Sequence, residues 1–296
     1  MRYSIVHTTT YDYDRPVQLQ PHTLRLRPRS DGWQQLESFD VQISPRPIGR
    51  SELTDFDGNA LLKVWFADVE TDRLDIVTTS QVTTTQTNPF GYLLDGYALQ
   101  LPIDYPSSVK AQLQPYLRQA EIIDPVAVEL YQDLWVQTDG DTSIFLSVLN
   151  QLINTNCGYG MRETGKPLPP GVTWRDRQGS CRDFSVLFME VCRAAGLAAR
   201  FVSGYQEGDL KKADHYLHAW AEVYLPGAGW RGYDPTLGLL VSDRHIAICS
   251  SVDPSYTVPV VGEYRPGRVR SRMEYGLKIT SQGLPLKRSV GWVYAS

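Results

Sequence analysis

The apolar residues of this chain change their spacing near residue 95, and that switch limits what the chain can fold into. Over residues 1–95 they alternate: Leu24 and Leu26 stand against Arg25 and Arg27, and Phe39, Val41 and Ile43 against polar neighbours. A strand turns successive side chains to opposite faces, so a period of two predicts half-buried strands, with turns such as Asp57-Gly58-Asn59 between them. No helical pattern interrupts the run, and the expected arrangement is an antiparallel β-sandwich whose last strand is the threonine-rich stretch before Pro89. From 96 to 262 the pattern becomes helical. Helices are predicted over 106–119, 125–137 and 142–153, with Asp124 and Asp141 as N-caps and Pro125 in a first turn. A further helix begins at Cys181, and the strands ARFVSGY, HAWAEVYL and WRGYDPT follow it. Helices first and hairpin-linked strands afterwards predict an α+β core. Residues 263–296 return to alternation, as a C-terminal β extension.

At 296 residues the chain is long enough to bury a core in each part. A net charge of -4 leaves no electrostatic footprint for a nucleic-acid partner. The segment 264–296 is locally basic, and a solvated strand face explains this more simply than an anionic partner. Behind the N-terminus there is no apolar core of a signal peptide. No apolar run approaches the roughly 18 residues of a spanning helix either, so no membrane partner and a cytoplasmic location are expected. Cys157, Cys181, Cys192 and Cys249 show no paired spacing, which predicts free thiols and neither a disulfide framework nor a thiolate zinc site.

Cys181 stands out by position. Ser180-Cys181-Arg182-Asp183 has the form of a capping box, with Ser180 as N-cap and Asp183 at the third helical position. Cys181 then occupies the first helical residue, where unpaired backbone N–H groups and the positive end of the helix dipole favour a thiolate and could hold an oxyanion. The alternative is that Cys181 merely begins the apolar stripe Phe184, Phe188, Met189 and Cys192. Cys192, in mid-helix among apolar neighbours, is expected to be simple packing.

A thiolate nucleophile needs an imidazole, and the imidazole needs an acceptor that fixes its tautomer. His7 and His22 fall in the strand-rich N-terminal part and His245 follows a loop, which leaves His215 and His218. His218 shares a strand face with Trp220, Glu222 and Tyr224. Asp234, one strand later, is the candidate acceptor, and register decides whether it can serve. Pairing Leu225 with Trp230 would put His218 and Asp234 on opposite faces. Pairing Leu225 with Gly229 across three residues would make them diagonal neighbours roughly 7–8 Å apart at the backbone. The second is preferred, because glycine suits such a turn.

Other patterns lead nowhere. Gly227, Gly229 and Gly232 spell a dinucleotide fingerprint, but Tyr233-Asp234-Pro235 follows where a helix is required. His215 and His218 lack companion ligands for a metal. A redox pair with Cys192 would have to span about 16 Å of helix.

With these residues placed, the sequence resembles the transglutaminase-like superfamily, in particular its bacterial transglutaminase-like cysteine peptidase group. The likeness rests on GSCRDFS, ARFVSGY, HAWAEVYLPGAGWRGYDPT, and RHIAIC followed by VPVVGEYRPG. In the N-terminal part, YDYDRPVQLQPHTLRLRPR and DFDGN resemble that group's strand-rich domain. The resemblance implies a papain-like core over 96–262 with Cys181 as nucleophile, His218 as base and later acid, and Asp234 as orienter. It implies no cofactor and no metal. The implied reaction is acyl transfer on a peptide or protein amide through a thioester, with hydrolysis preferred and an amine acceptor as the alternative. A non-catalytic peptide-binding module is the rival from another class. Gln178 and Trp174 precede Cys181, and no spacing makes either one a second oxyanion donor. Residues 160–171 are expected to form a loop over the sulfur.

Overall fold

The computed structural model describes residues 1–117, 124–162, 165–208, 217–267 and 269–282. Its N-terminal strands are β1 (Arg2–Leu24), β2 (Gln34–Ser44), β3 (Gly49–Thr54), β4 (Ala60–Trp65) and β5 (Glu70–Thr84). They form one antiparallel sheet in the order β2-β5-β1-β4-β3. The expected sandwich is thereby corrected to a single curled, open sheet. The reason lies in β1, which is 23 residues long and does not break where the register to β5 shifts between Asp12 and Val17. Such an irregularity bends and twists a strand locally, so the ladder passes from β5 to β4 along β1 and the sheet curls without splitting into two layers. Leu19, Leu24, Leu62, Val64, Leu74 and Ile76 form a buried apolar cluster on it.

The core begins with α1 (Ser107–Leu117), α2 (Pro125–Gln137) and α3 (Thr142–Asn156). Both aspartate caps form: Asp124 accepts from the Val126 N–H at 3.1 Å and Asp141 from the Ile144 N–H at 2.8 Å. After the short strand β6 (Gly158–Tyr159) comes α4 (Pro170–Asp176), a helix that the sequence reading did not anticipate. The chain then runs through β7 (Gln178–Gly179) into α5 (Cys181–Ala194). The remaining core strands are β8 (Ala199–Gln206), β9 (Leu217–Leu225), β10 (Gly229–Asp234), β11 (Leu239–Leu240) and β12 (His245–Ser251), in the order β11-β10-β9-β8-β12. Phe184, Leu187, Phe188 and Val191 of α5 pack against Ala221 and Val223 of β9, over Phe145 and Leu146 of α3. That stripe fixes the helix to the sheet.

Two last strands, β13 (Val260–Arg265) and β14 (Ser271–Gln282), return to pair with β1 and complete a seven-stranded N-terminal sheet. Arg270 and Arg272 of this basic segment are exposed and paired with Asp14 and Glu274. Arg268 and residues 283–296, part of the same segment, lie outside the described residues. The two sheets meet where Tyr3, Ile5 and Val82 bury against Tyr205, Ile246 and Ile248. Full burial of one such side chain is worth about 1.5–3 kcal/mol. Among the described residues no helix is long and apolar enough to cross a membrane.

Candidate active site

The first turn of α5 is held by one buried carboxylate. Asp183 Oδ2 accepts from both the backbone N–H and the Oγ of Ser180, each at 2.7 Å, and thereby sets the N-cap. Its Oδ1 accepts from the Leu168 N–H at 2.7 Å and from Arg162 at 2.6 Å. The capping residue thus also ties down both described arms of the 160–171 segment. Gly179 is needed for this closeness, since a Cβ there would lie 3.0 Å from Asp183 Cβ and the Phe184 ring. Cys181 sits at the first helical position as the sequence predicts, and it is nearly buried. Gln178 packs its amide beside Gly160, and Trp174 lies under the Arg177 guanidinium at 3.6 Å.

The register preferred from the sequence is the one observed. Leu225 pairs with Gly229, and the ladder continues to Ala221 and Tyr233. Gly227 and Gly229, at φ of 84° and 73°, supply the left-handed backbone that a three-residue connection requires. Asp234 therefore falls on the His218 side, with His218 Nε2 2.7 Å from Asp234 Oδ2. Cys181 also acts on this imidazole, as a lesser influence that raises it. His215 lies outside the described residues.

Burial opposes a charge on His218, but the Asp234 charge and hydrogen bond, with a smaller contribution from Cys181, outweigh it and raise the imidazole to about 10. Burial likewise acts to raise the Asp234 carboxyl, and its two imidazole neighbours reverse this and hold it well below the usual carboxylate range. The other cysteines have different surroundings. Burial pushes Cys192 well above an ordinary thiol, Cys249 up to about 12, and Cys157 upward too.

The second neighbour of Asp234 was missed in the sequence. His245 opens β12, and its Nε2 is 3.1 Å from Asp234 Oδ2. Nothing in the strand pattern signals this, because β12 and β10, which carries Asp234, are separated in the sheet order by β8 and β9. The RHIAIC stretch was noticed as a motif, without a role for its histidine. His218, Asp234 and His245 also form a group whose ligand atoms could converge on a cation. A 2.7 Å separation between His218 and Asp234 is that of a charge-assisted hydrogen bond. Tetrahedral zinc, with ligands at about 2.0–2.2 Å, would hold neighbouring donors roughly 3.3 Å apart. The group is a hydrogen-bonded cluster.

Residues 3–83 match the bacterial transglutaminase-like N-terminal region, and residues 134–235 match the transglutaminase-like superfamily. An uncharacterised protein of Mycobacterium tuberculosis is 29% identical over 276 residues, covering 88% of this chain and 87% of its own. A protein-glutamine gamma-glutamyltransferase of Pseudomonas aeruginosa is 43% identical over 67 residues, 20% of this chain and 10% of that protein. A structure described as a candidate cysteine protease from Cytophaga hutchinsonii shares the fold, with a TM-score of 0.72 over 96% of this chain and 92% of its own, at 18% identity. The periplasmic domain of TgpA from Pseudomonas aeruginosa matches at 20% identity over 78% of this chain and 90% of its own, with a TM-score of 0.37. The cytoplasmic location expected from the sequence is withdrawn: that no described helix is long and apolar enough to cross a membrane assigns no compartment. Two family segments in order along one chain, on a fold shared over nearly its full length, place this protein in the transglutaminase-like superfamily, with that superfamily's bacterial N-terminal region.

Proposed function

We propose that this protein performs cysteine-dependent acyl transfer on amide bonds, with Cys181 as nucleophile, His218 as base and then acid, and Asp234 as orienting carboxylate. The observation that carries this reading is His218, whose Nε2 is 2.7 Å from Asp234 Oδ2 and whose imidazole is also influenced by Cys181, the first residue of α5. Asp234, ionised, can only accept, so His218 carries its proton on Nε2 and leaves Nδ1 to take the thiol proton. The sulfur attacks the amide carbonyl, and the oxyanion is met by N–H groups of the first turn of α5, which have no intrahelical acceptor. When the C–N bond breaks, the leaving amine takes the proton from His218 Nδ1 and a thioester remains.

Water is the acceptor proposed first, because it needs no second binding site. His218 removes its proton, the carboxylic acid departs, and Cys181 is regenerated. A protease or amidase results. An amine acceptor, giving a cross-linking transglutaminase, is the second reading, favoured by the 43% identical segment shared with the Pseudomonas gamma-glutamyltransferase. Competition separates them: adding a fluorescent primary amine to a turnover assay yields a labelled amide only in the second case. The division at 95/96 and 262/263 belongs to this proposal, with 96–262 as the catalytic part.

The reading is tested by iodoacetamide alkylation from pH 5 to 9, with each cysteine followed by mass spectrometry. Cys181 is expected to react at least about tenfold faster than Cys157, Cys192 or Cys249 at pH 6, as a thiolate stabilised by an adjacent imidazolium should. His218→Ala is expected to remove that advantage. Equal reaction of all four thiols, or an unchanged profile in His218→Ala, rules the reading out.

A further inference from the structure

We propose that His245 is a positioning residue for this site, donating from Nε2 to Asp234 Oδ2 and so holding the carboxylate turned toward His218. The inference rests on the Cys181–His218–Asp234 reading above and adds a member to it that acts only through Asp234.

The carboxylate has four donors. The Thr236 and Leu237 N–H groups hold Oδ1 at 3.0 and 3.3 Å, while His218 and His245 share Oδ2 at 2.7 and 3.1 Å. The backbone pair fixes one oxygen, and rotation of the other is limited by the two rings. Without His245, Oδ2 would answer to His218 alone, and the ring that must shuttle protons would also have to orient its own orienter.

The protonation of His245 follows from its partners. An ionised carboxylate only accepts, so the His245 proton is on Nε2. Burial lowers the affinity of this ring for a second proton, more than Asp234 restores it, and the neighbouring His218 and Arg244 charges act the same way. A neutral donor suits the task. It strengthens the carboxylate without placing a second cation beside it that would compete with the imidazolium formed on His218.

The far side of the ring supports the same assignment. His245 stands edge-on to Trp220, with centroids 5.3 Å apart, and both line a small, partly open cavity of about 30 Å³ bounded also by Arg29, Gln34, Glu222 and Ser242. His245 Nδ1 and Trp220 Nε1 are buried and make no hydrogen bond within the described protein. One is an acceptor and the other a donor, and a cavity of that size admits a water able to serve both. The charged pair Arg29 and Glu222 lines the same cavity. Polar support of this kind behind a ligating or orienting histidine fixes its tautomer.

The test is the second-order rate of iodoacetamide at Cys181 against pH, in the wild type, His245→Leu, His245→Asn, His245→Gln and His218→Ala. Gln places its amide nitrogen where imidazole Nε2 stands, and Asn is one methylene too short. Leu and Asn are expected to lower the rate at pH 7 about tenfold. They should also move the acid limb up by about one pH unit, because a carboxylate less firmly turned toward His218 stabilises the imidazolium, and with it the thiolate, less well. Gln is expected to stay within about threefold of wild type. Should His245→Leu lose its cooperative melt, the contrast between Asn and Gln, polar and close in size, decides. Profiles for Asn that overlay the wild type, or a Gln variant no better than Asn, overturn the proposal. A failure of the underlying reading looks different: His218→Ala then matches the wild type, whatever position 245 holds.

Discussion

Replacing Asp234 by asparagine is expected to lower amide turnover by about four orders of magnitude while the protein still folds, the size of effect seen when an orienting carboxylate becomes an amide in other nucleophile–histidine enzymes. The side chain keeps its shape, and its carbonyl oxygen can still accept from the Thr236 and Leu237 N–H groups that hold Oδ1 now. The other branch then presents an NH₂ to two rings that had been donating to Oδ2. His218 can satisfy it only by accepting at Nε2, which moves its proton to Nδ1, the nitrogen that must receive one from Cys181. The loss of negative charge removes the main influence that raises His218 to about 10 against its burial. The measurement is kcat for release of a fluorophore from a peptide-amide library, with thermal melting in parallel. A drop of less than about tenfold in a folded Asp234→Asn protein would mean that Asp234 is not the orienter. Cys181→Ala sets the floor, because without the sulfur no thioester can form.

The parts of this site that were legible in the sequence are those determined over short distances. Asp124, Asp141 and the Ser180/Asp183 pair mark helix starts because capping is settled within a few residues, and all of them cap in the structure. His218 and Asp234 could be brought together on paper because one turn of three residues joins their strands, and two glycines restrict it to one register. His245 could not, since in the sheet order its strand β12 is separated from β10, which carries Asp234, by β9 and β8. The seven-residue α4 begins with prolines and is too short to show a period. The N-terminal sheet failed for another reason. Alternation of Leu24 with Arg25 reports that one face is buried and says nothing about what covers it. A sandwich and a curled sheet share that signature. The difference depends on β1 running unbroken past its register shift to β5, and part of the same sheet, β14, lies more than 250 residues away in the chain.

The largest effect on stability is expected at Glu222, and it follows from the same strand that carries His218. On that face of β9, Glu222 accepts from Arg29 at 2.7 Å, out of the segment after β1, and from Arg200 Nε of β8 at 2.7 Å. All three side chains are largely buried, and the Arg200 guanidinium also lies over the Trp230 ring at 4.1 Å. Burial acts to raise the Glu222 carboxyl, and the two guanidinium groups together overcome this and depress it from 4.5 to about 2. Glu222→Gln keeps the volume but leaves Arg200 without its counter-charge and Arg29 with only Asp31 at 3.5 Å, at a cost of about 3–5 kcal/mol in urea denaturation at pH 7. The pH dependence has a definite sign. A carboxyl whose folded value lies below its unfolded one contributes fully above about 4.5 and loses that contribution as pH falls toward 2. Roughly 3 kcal/mol of the wild-type advantage should therefore vanish across that window. A wild-type advantage over Glu222→Gln that is as large at pH 2.5 as at pH 7 would show that packing, and not charge, holds this junction. Because the desolvation of three charges is itself costly, replacing Glu222, Arg29 and Arg200 together by apolar residues of similar volume should recover most of what the single change loses. That recovery separates the two costs. The ion triad joins the segment after β1 to the strand that carries His218, and its removal as a unit should cost less stability than the removal of Glu222 alone.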